Sequence, residues 1–139
     1  MSKALRIVAR LRKLAIDEAR HELAVRLAAE VQAAEADRSA QAAMHREHEA
    51  ASVLGVEHAA IGAFALWLPR GLQARNVARD AAMRADEAVQ EGRTALAAVR
   101  AAAEVVDKLL ASHAADRLAE ANRREQAVLD EVGQRRRVE

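Results

Sequence analysis

Residues 78–110 read ARDAAMRADEAVQEGRTALAAVRAAAEVVDKLL, and this stretch decides the fold. Within it Ala78, Ala82, Ala85, Val89, Gly92, Leu96, Val99, Ala103, Val106 and Leu110 recur at alternating steps of four and three, with no charge on the stripe. That is the heptad spacing of a helix with one apolar seam. A helix alone would leave the seam in water, so it needs a second helix from the same chain or from another.

Working outward, the rest of the chain carries the same rhythm less cleanly. Towards the start, Ala40, Met44, Glu47, Ala51, Leu54, His58, Ile61, Ala65 and Leu68 alternate in the same way. Earlier still, Ile7, Leu11 and Leu14 form a stripe, and Ala19, Leu23, Leu27 and Val31 continue at steps of four. Beyond Val106 the phase slips: Leu110, Ala114 and Leu118 are four apart before Ala121 resumes at three, a stutter that unwinds a coiled coil locally.

Composition points the same way. Of 139 residues 37 are alanine, 31% are charged and 1% are aromatic. Alanine is the best helix former but buries little surface, so a deep interior is excluded. The one Pro–Gly cluster, Pro69-Arg70-Gly71, predicts the bend. The sequence therefore predicts an all-α chain, a single antiparallel coiled-coil hairpin over residues 1–139. Helix 1 is expected over about 3–66, the bend over about 67–71 and helix 2 over about 72–136. Folding back on itself costs the least loop entropy, and arms of roughly 90–100 Å would leave no interior pocket. Gly55 and Gly62 weaken the first helix locally, and it is expected to run through at least one of them.

Several function classes drop out. There is no cysteine for disulfides or thiolate metal sites. Arg10, Arg12 and Lys13 interrupt the apolar run that a signal peptide requires. The longest uncharged window, Ala59 to Pro69, is too short to span a membrane, so no transmembrane segment is expected. Net charge is +1, which gives no basis for bulk nucleic-acid binding. No phosphate-binding, nucleophile-elbow or zinc-protease spacing occurs, and no enzymatic activity or cofactor is expected. His45 and His48, beside Glu47 and Glu49, have a two-ligand spacing, but two ligands on an exposed helix make an incomplete site and read as solvated residues.

Two features stand out as contact surfaces. The ends are basic: Lys3, Arg6, Arg10, Arg12 and Lys13 precede the first acid, and Arg135, Arg136 and Arg137 precede Glu139. A hairpin with equal arms would bring these sets together at one pole, where their repulsion favours an acidic partner. Phe64, Leu66, Trp67 and Leu68 lie beside the expected bend and include both aromatics. They read either as a cap that packs the turn or as an exposed anchor, and a half-buried ring would serve as both.

Residues 5–23, with Leu11-Arg12-Lys13-Leu14 and Asp17-Glu18-Ala19-Arg20, open the chain. Arg123-Arg124-Glu125-Gln126, Leu129-Asp130-Glu131 and Arg135-Arg136 close it. Together these stretches resemble the FliJ family of flagellar export proteins. The resemblance implies a non-enzymatic, stalk-like component of the type III export apparatus, cytoplasmic and peripheral at the inner face of the membrane. Its implied partners are the export ATPase hexamer, the cytoplasmic domain of the export gate and substrate chaperones. On this reading the ATPase side comprises Lys3, Arg6, Arg10, Arg12, Lys13, Leu14, Arg123, Arg124, Arg135, Arg136 and Arg137. Phe64, Trp67 and Leu68 are assigned to the gate from composition and not from a matched motif. The equivalent stalk of an injectisome and an amphipathic phasin-like, lipid-surface protein are the alternatives.

Overall fold

Alanine-rich, nearly glycine-free sequence forms long helices, and a computed structural model of the chain contains two. It describes residues 2–53 and 58–138. Helix α1 spans Ser2–Ser52 and α2 spans His58–Val138. The fold is all-α, and the two helices pack against each other.

Every member of the seam Ala78–Leu110 is buried or half-buried, and Val89 is the most enclosed at 1% exposure. The first-arm stripe fares unevenly. Ala40, Met44, Ala51 and Leu68 are half-buried, whereas Glu47, His58, Ile61 and Ala65 are exposed and Leu54 lies outside the described residues. Ile7, Leu11 and Leu14 are exposed, and the half-buried positions near them are Leu5, Ala9, Ala15 and Ile16. After Ala19 and Leu23 the covered face runs through Arg26, Glu30 and Ala33, while Leu27 and Val31 are exposed. The reason is geometric. Steps of four advance about 400° and drift out of a seam that alternating steps of three and four follow.

The bend requires a correction. Residues 67–71, expected to break the chain, lie inside α2, and Pro69 is an interior residue of that helix. α1 ends at Ser52, and α2 begins at His58. Ser52 Oγ donates to the His48 carbonyl at 2.7 Å, a side-chain bond that competes with helical pairing as α1 ends. A helix interior tolerates proline at a cost of about 3 kcal/mol when neighbouring contacts compensate. Here the Trp67 ring covers the buried Gly71, where there is no Cβ to obstruct it. Gly62 is helical, within α2, and Gly55 lies outside the described residues.

The sequence reading treats the chain as one unit, but the packing divides into two: Met1–Asp17 with Ala97–Glu139, and Glu18–Leu96. In the second unit α1 and α2 run antiparallel. Arg26 meets Ala88 and Glu91, and Leu23 meets Gly92. Gly92 allows this approach, because a Cβ there would stand 3.2 Å from both Leu23 Cδ1 and Arg26 Cδ. Elsewhere in that unit the seam is less well filled. A groove of about 280 Å³ is lined by Gln41, Met44, Arg75 and Arg79. Asp37 Oδ1 and Arg75 Nε are buried with no hydrogen-bond partner among the described residues.

Candidate partner-binding surfaces

The aromatic cluster belongs to the unit Glu18–Leu96. Four residues apart on successive turns would stack two rings on one face; Phe64 and Trp67 are three apart, which also places them side by side. Their centroids are 6.3 Å apart at 27°. The His48 ring, coming from α1, meets Phe64 edge-on at 6.1 Å and 62°. Phe64, Trp67 and Leu68 are all half-buried, so the cluster braces the two helices while leaving part of each ring outside. Leu66 is 81% exposed and Ile61 and Val53 are exposed nearby in sequence. Sequence reasoning passed over Ile61 and Val53 as surface residues, because Ile61 falls on the heptad stripe and Val53 carries no pattern.

The two histidines considered as ligands are engaged separately. His45 Nε2 lies 3.2 Å from Glu49 Oε1, while His48 is occupied with Phe64. Among the described residues no group of three or more His, Cys, Asp or Glu is placed to hold a metal ion. The His113 carbonyl accepts from Arg117 Nε at 3.4 Å, and its side chain is half-buried where α1 coverage ends.

The basic segments belong to the other unit. Arg6, Ala9, Arg10 and Lys13 of α1 line a surface recess with Asp107 and Leu110 of α2, so Asp107 faces this cationic stretch. Lys3, Arg6, Arg10, Arg12, Lys13 and Leu14 are all exposed. The common basic pole expected from equal arms is not formed. Arg135 is some 28 residues beyond Asp107 on one continuous helix, which is about 42 Å along its axis. The cause is the position of the interruption. With 51 residues in α1 and 81 in α2, the shorter helix runs out first, and every residue from Ala114 to Val138 is exposed.

This terminal stretch of α2 is therefore a helix whose support is its own side-chain pairs. Arg124 holds Glu120 at 2.7 Å and Arg135 holds Glu131 at 3.0 Å, both four residues apart. Gln126 Nε2 donates to Asp130 Oδ1 at 3.1 Å. Each such pair adds a few tenths of a kcal/mol to a helix. Arg123, Arg124, Arg135, Arg136 and Arg137 project from it, and Leu118, Val128, Leu129 and Val132 are exposed beside them.

The family model described as flagellar FliJ protein matches residues 1–138. The chain belongs to the FliJ family. No curated protein and no solved structure matches it significantly. Membership makes this FliJ-family chain a flagellar export-related protein. Among its described residues no helix is long and apolar enough to cross a membrane.

Proposed function

We propose that this FliJ-family chain acts without catalysing a reaction, as a stalk that engages the export ATPase hexamer and links it to the export gate. The observation that carries the reading is the family match over residues 1–138. The exposed end of α2 supports it. A single helix about 10–12 Å across enters a narrower pore than a helix pair does, and three consecutive arginines at its tip attract acidic walls over a distance. The ATPase contact is assigned first to Arg123, Arg124, Arg135, Arg136 and Arg137. Lys3, Arg6, Arg10, Arg12, Lys13 and Leu14 form a second contact set back along α2.

The gate contact is assigned to Phe64, Trp67 and Leu68, joined by the exposed Leu66. Half-buried aromatics offer rigid area to a partner at small entropic cost. Engagement of the gate would hold the protein at the inner face of the cytoplasmic membrane, and substrate chaperones are further partners on this reading. The family match favours the flagellar system over an injectisome stalk or a lipid-coating protein.

The test is co-sedimentation with purified export ATPase at low and high salt, together with ATP turnover. Binding that raises turnover and weakens with salt is expected, and reversal of Arg135, Arg136 and Arg137 to glutamate should weaken it most at low ionic strength. No binding and unchanged turnover would reject the proposal.

A further inference from the structure

The seam that α1 covers in the unit Met1–Asp17 with Ala97–Glu139 passes through Ala103, Val106, Leu110 and His113, each buried or half-buried. Continued by the same steps it would pass through Arg117, Glu120, Arg124, Ala127 and Glu131, mostly charged. The apolar stripe of the exposed end lies one residue further on throughout: Ala114, Leu118, Ala121, Glu125, Val128 and Val132. One residue is about 100° of helix, so this stripe faces away from the line that α1 follows. Leu118, Val128 and Val132 are 64%, 59% and 48% exposed.

We infer that this stripe is a self-association surface, covered by the same stripe of a second copy of the chain running antiparallel. The register is the one that sets the stripe 114, 118, 121, 125, 128 and 132 against itself. With the two-fold axis between Gln126 and Ala127, half a residue from the middle of the exposed stretch 114–138, stripe meets stripe and Val138 of the second copy falls opposite Ala115. In this register Ala121 faces Val132 of the second copy, and Glu125 faces Val128 of the second copy. Leu118 packs under the aliphatic stem of Arg135 of the second copy. Two-fold symmetry repeats each contact.

Charge selects this arrangement. On one flank Arg124 faces Glu131 of the second copy, twice by symmetry; on the other, Asn122 faces Leu129 of the second copy. No like charges face each other on the two flanks. A parallel pair would instead press Glu125 against its own counterpart in the seam. Arg124 and Glu131 already hold Glu120 and Arg135. A guanidinium has five donors and a carboxylate about four acceptor sites, so both have capacity for the cross-pair. A paired end is no longer a single helix. The dimer is thus a form unable to enter a narrow pore, a consequence that rests on the proposed function, whereas the pairing itself does not.

The test is sedimentation equilibrium of the full chain from about 1 μM to 1 mM, without any ATPase. A monomer–dimer equilibrium is expected. Val128→Lys should abolish it, and Glu125→Leu should tighten it at least about tenfold by replacing a seam charge with apolar surface. Arg124→Glu should weaken it, and Arg124→Glu combined with Glu131→Arg should restore it. These side chains are exposed in the single chain, so circular dichroism should show the fold retained. A monomer at every concentration overturns the inference. So does a dimer indifferent to Val128→Lys and Glu125→Leu.

Discussion

Arg26 reaches across to Ala88: its Nη1 donates to the Ala88 carbonyl at 2.8 Å, joining α1 to α2 over 62 positions of sequence. The same guanidinium holds Glu22 at 2.8 Å and stands 3.6 Å from Glu91, with its side chain 29% exposed. A cation donating to a backbone carbonyl in a partly covered seam contributes more than a surface ion pair. Arg26→Ala is expected to lower stability by about 1–2 kcal/mol in urea unfolding followed by circular dichroism. Arg26→Lys should recover only part, since an ammonium lacks the fork that binds carbonyl and carboxylate together.

Gly92 supplies a second check on the same contact. A methyl group there would press on Leu23 Cδ1 and Arg26 Cδ, both 3.2 Å away. For Gly92→Ala, a gain of about 1 kcal/mol in helix propensity opposes this crowding, and the net change in unfolding midpoint should be small. Gly92→Val adds bulk without that gain and should destabilise by about 1–3 kcal/mol.

Pro69 and Trp67 test the placement of the chain reversal. Were Pro69 at a bend, replacing it would bring little. Inside α2 it removes a backbone donor, so Pro69→Ala is expected to raise the melting temperature, by up to about 3 kcal/mol in stability terms. A Cβ at Gly71 would overlap the Trp67 ring at Cη2, so Gly71→Ala must displace the indole. Trp67 is the only tryptophan, and its fluorescence should shift to the red as the ring leaves its contact with the helix.

The separation of the basic segments can be measured as a distance. The chain has no cysteine, so pairs of introduced cysteines can carry spin labels without background. Labels at positions 3 and 117 are expected within about 20 Å, and labels at 3 and 136 at about 30 Å or more, from the helical rise over the intervening residues. A short distance for the second pair would restore the common basic pole and remove the lone helical end.

How far the sequence could be read depended on what each local signal measured. The steps from Ala78 to Leu110 report which side of α2 must be covered, and every one of those residues is covered. Ile7, Leu11 and Leu14 satisfy a helical spacing equally well yet are exposed, because spacing identifies an apolar face without saying whether a neighbour is there to cover it. The cluster Phe64, Trp67 and Leu68 was legible from its composition, and its half-buried state is the one in which the cap and anchor readings are compatible. Proline at position 69 misled, since local preference is worth only a few kcal/mol and packing around Trp67 and Gly71 outweighs it.

By itself, the sequence determined that the chain is helical, that its helices need one another, and that its opening and closing segments are those of an export protein family. Those are properties of composition and of short-range periodicity, which act wherever the chain turns. Only the tertiary structure decided where it turns. Because pairing partners in an antiparallel arrangement shift by twice any displacement of the reversal, moving it from residues 67–71 to the interval after Ser52 changes the partner of every residue in the first arm. That shift separates Lys3 and Arg6 from Arg135 and Arg136 and leaves the last turns of α2 uncovered.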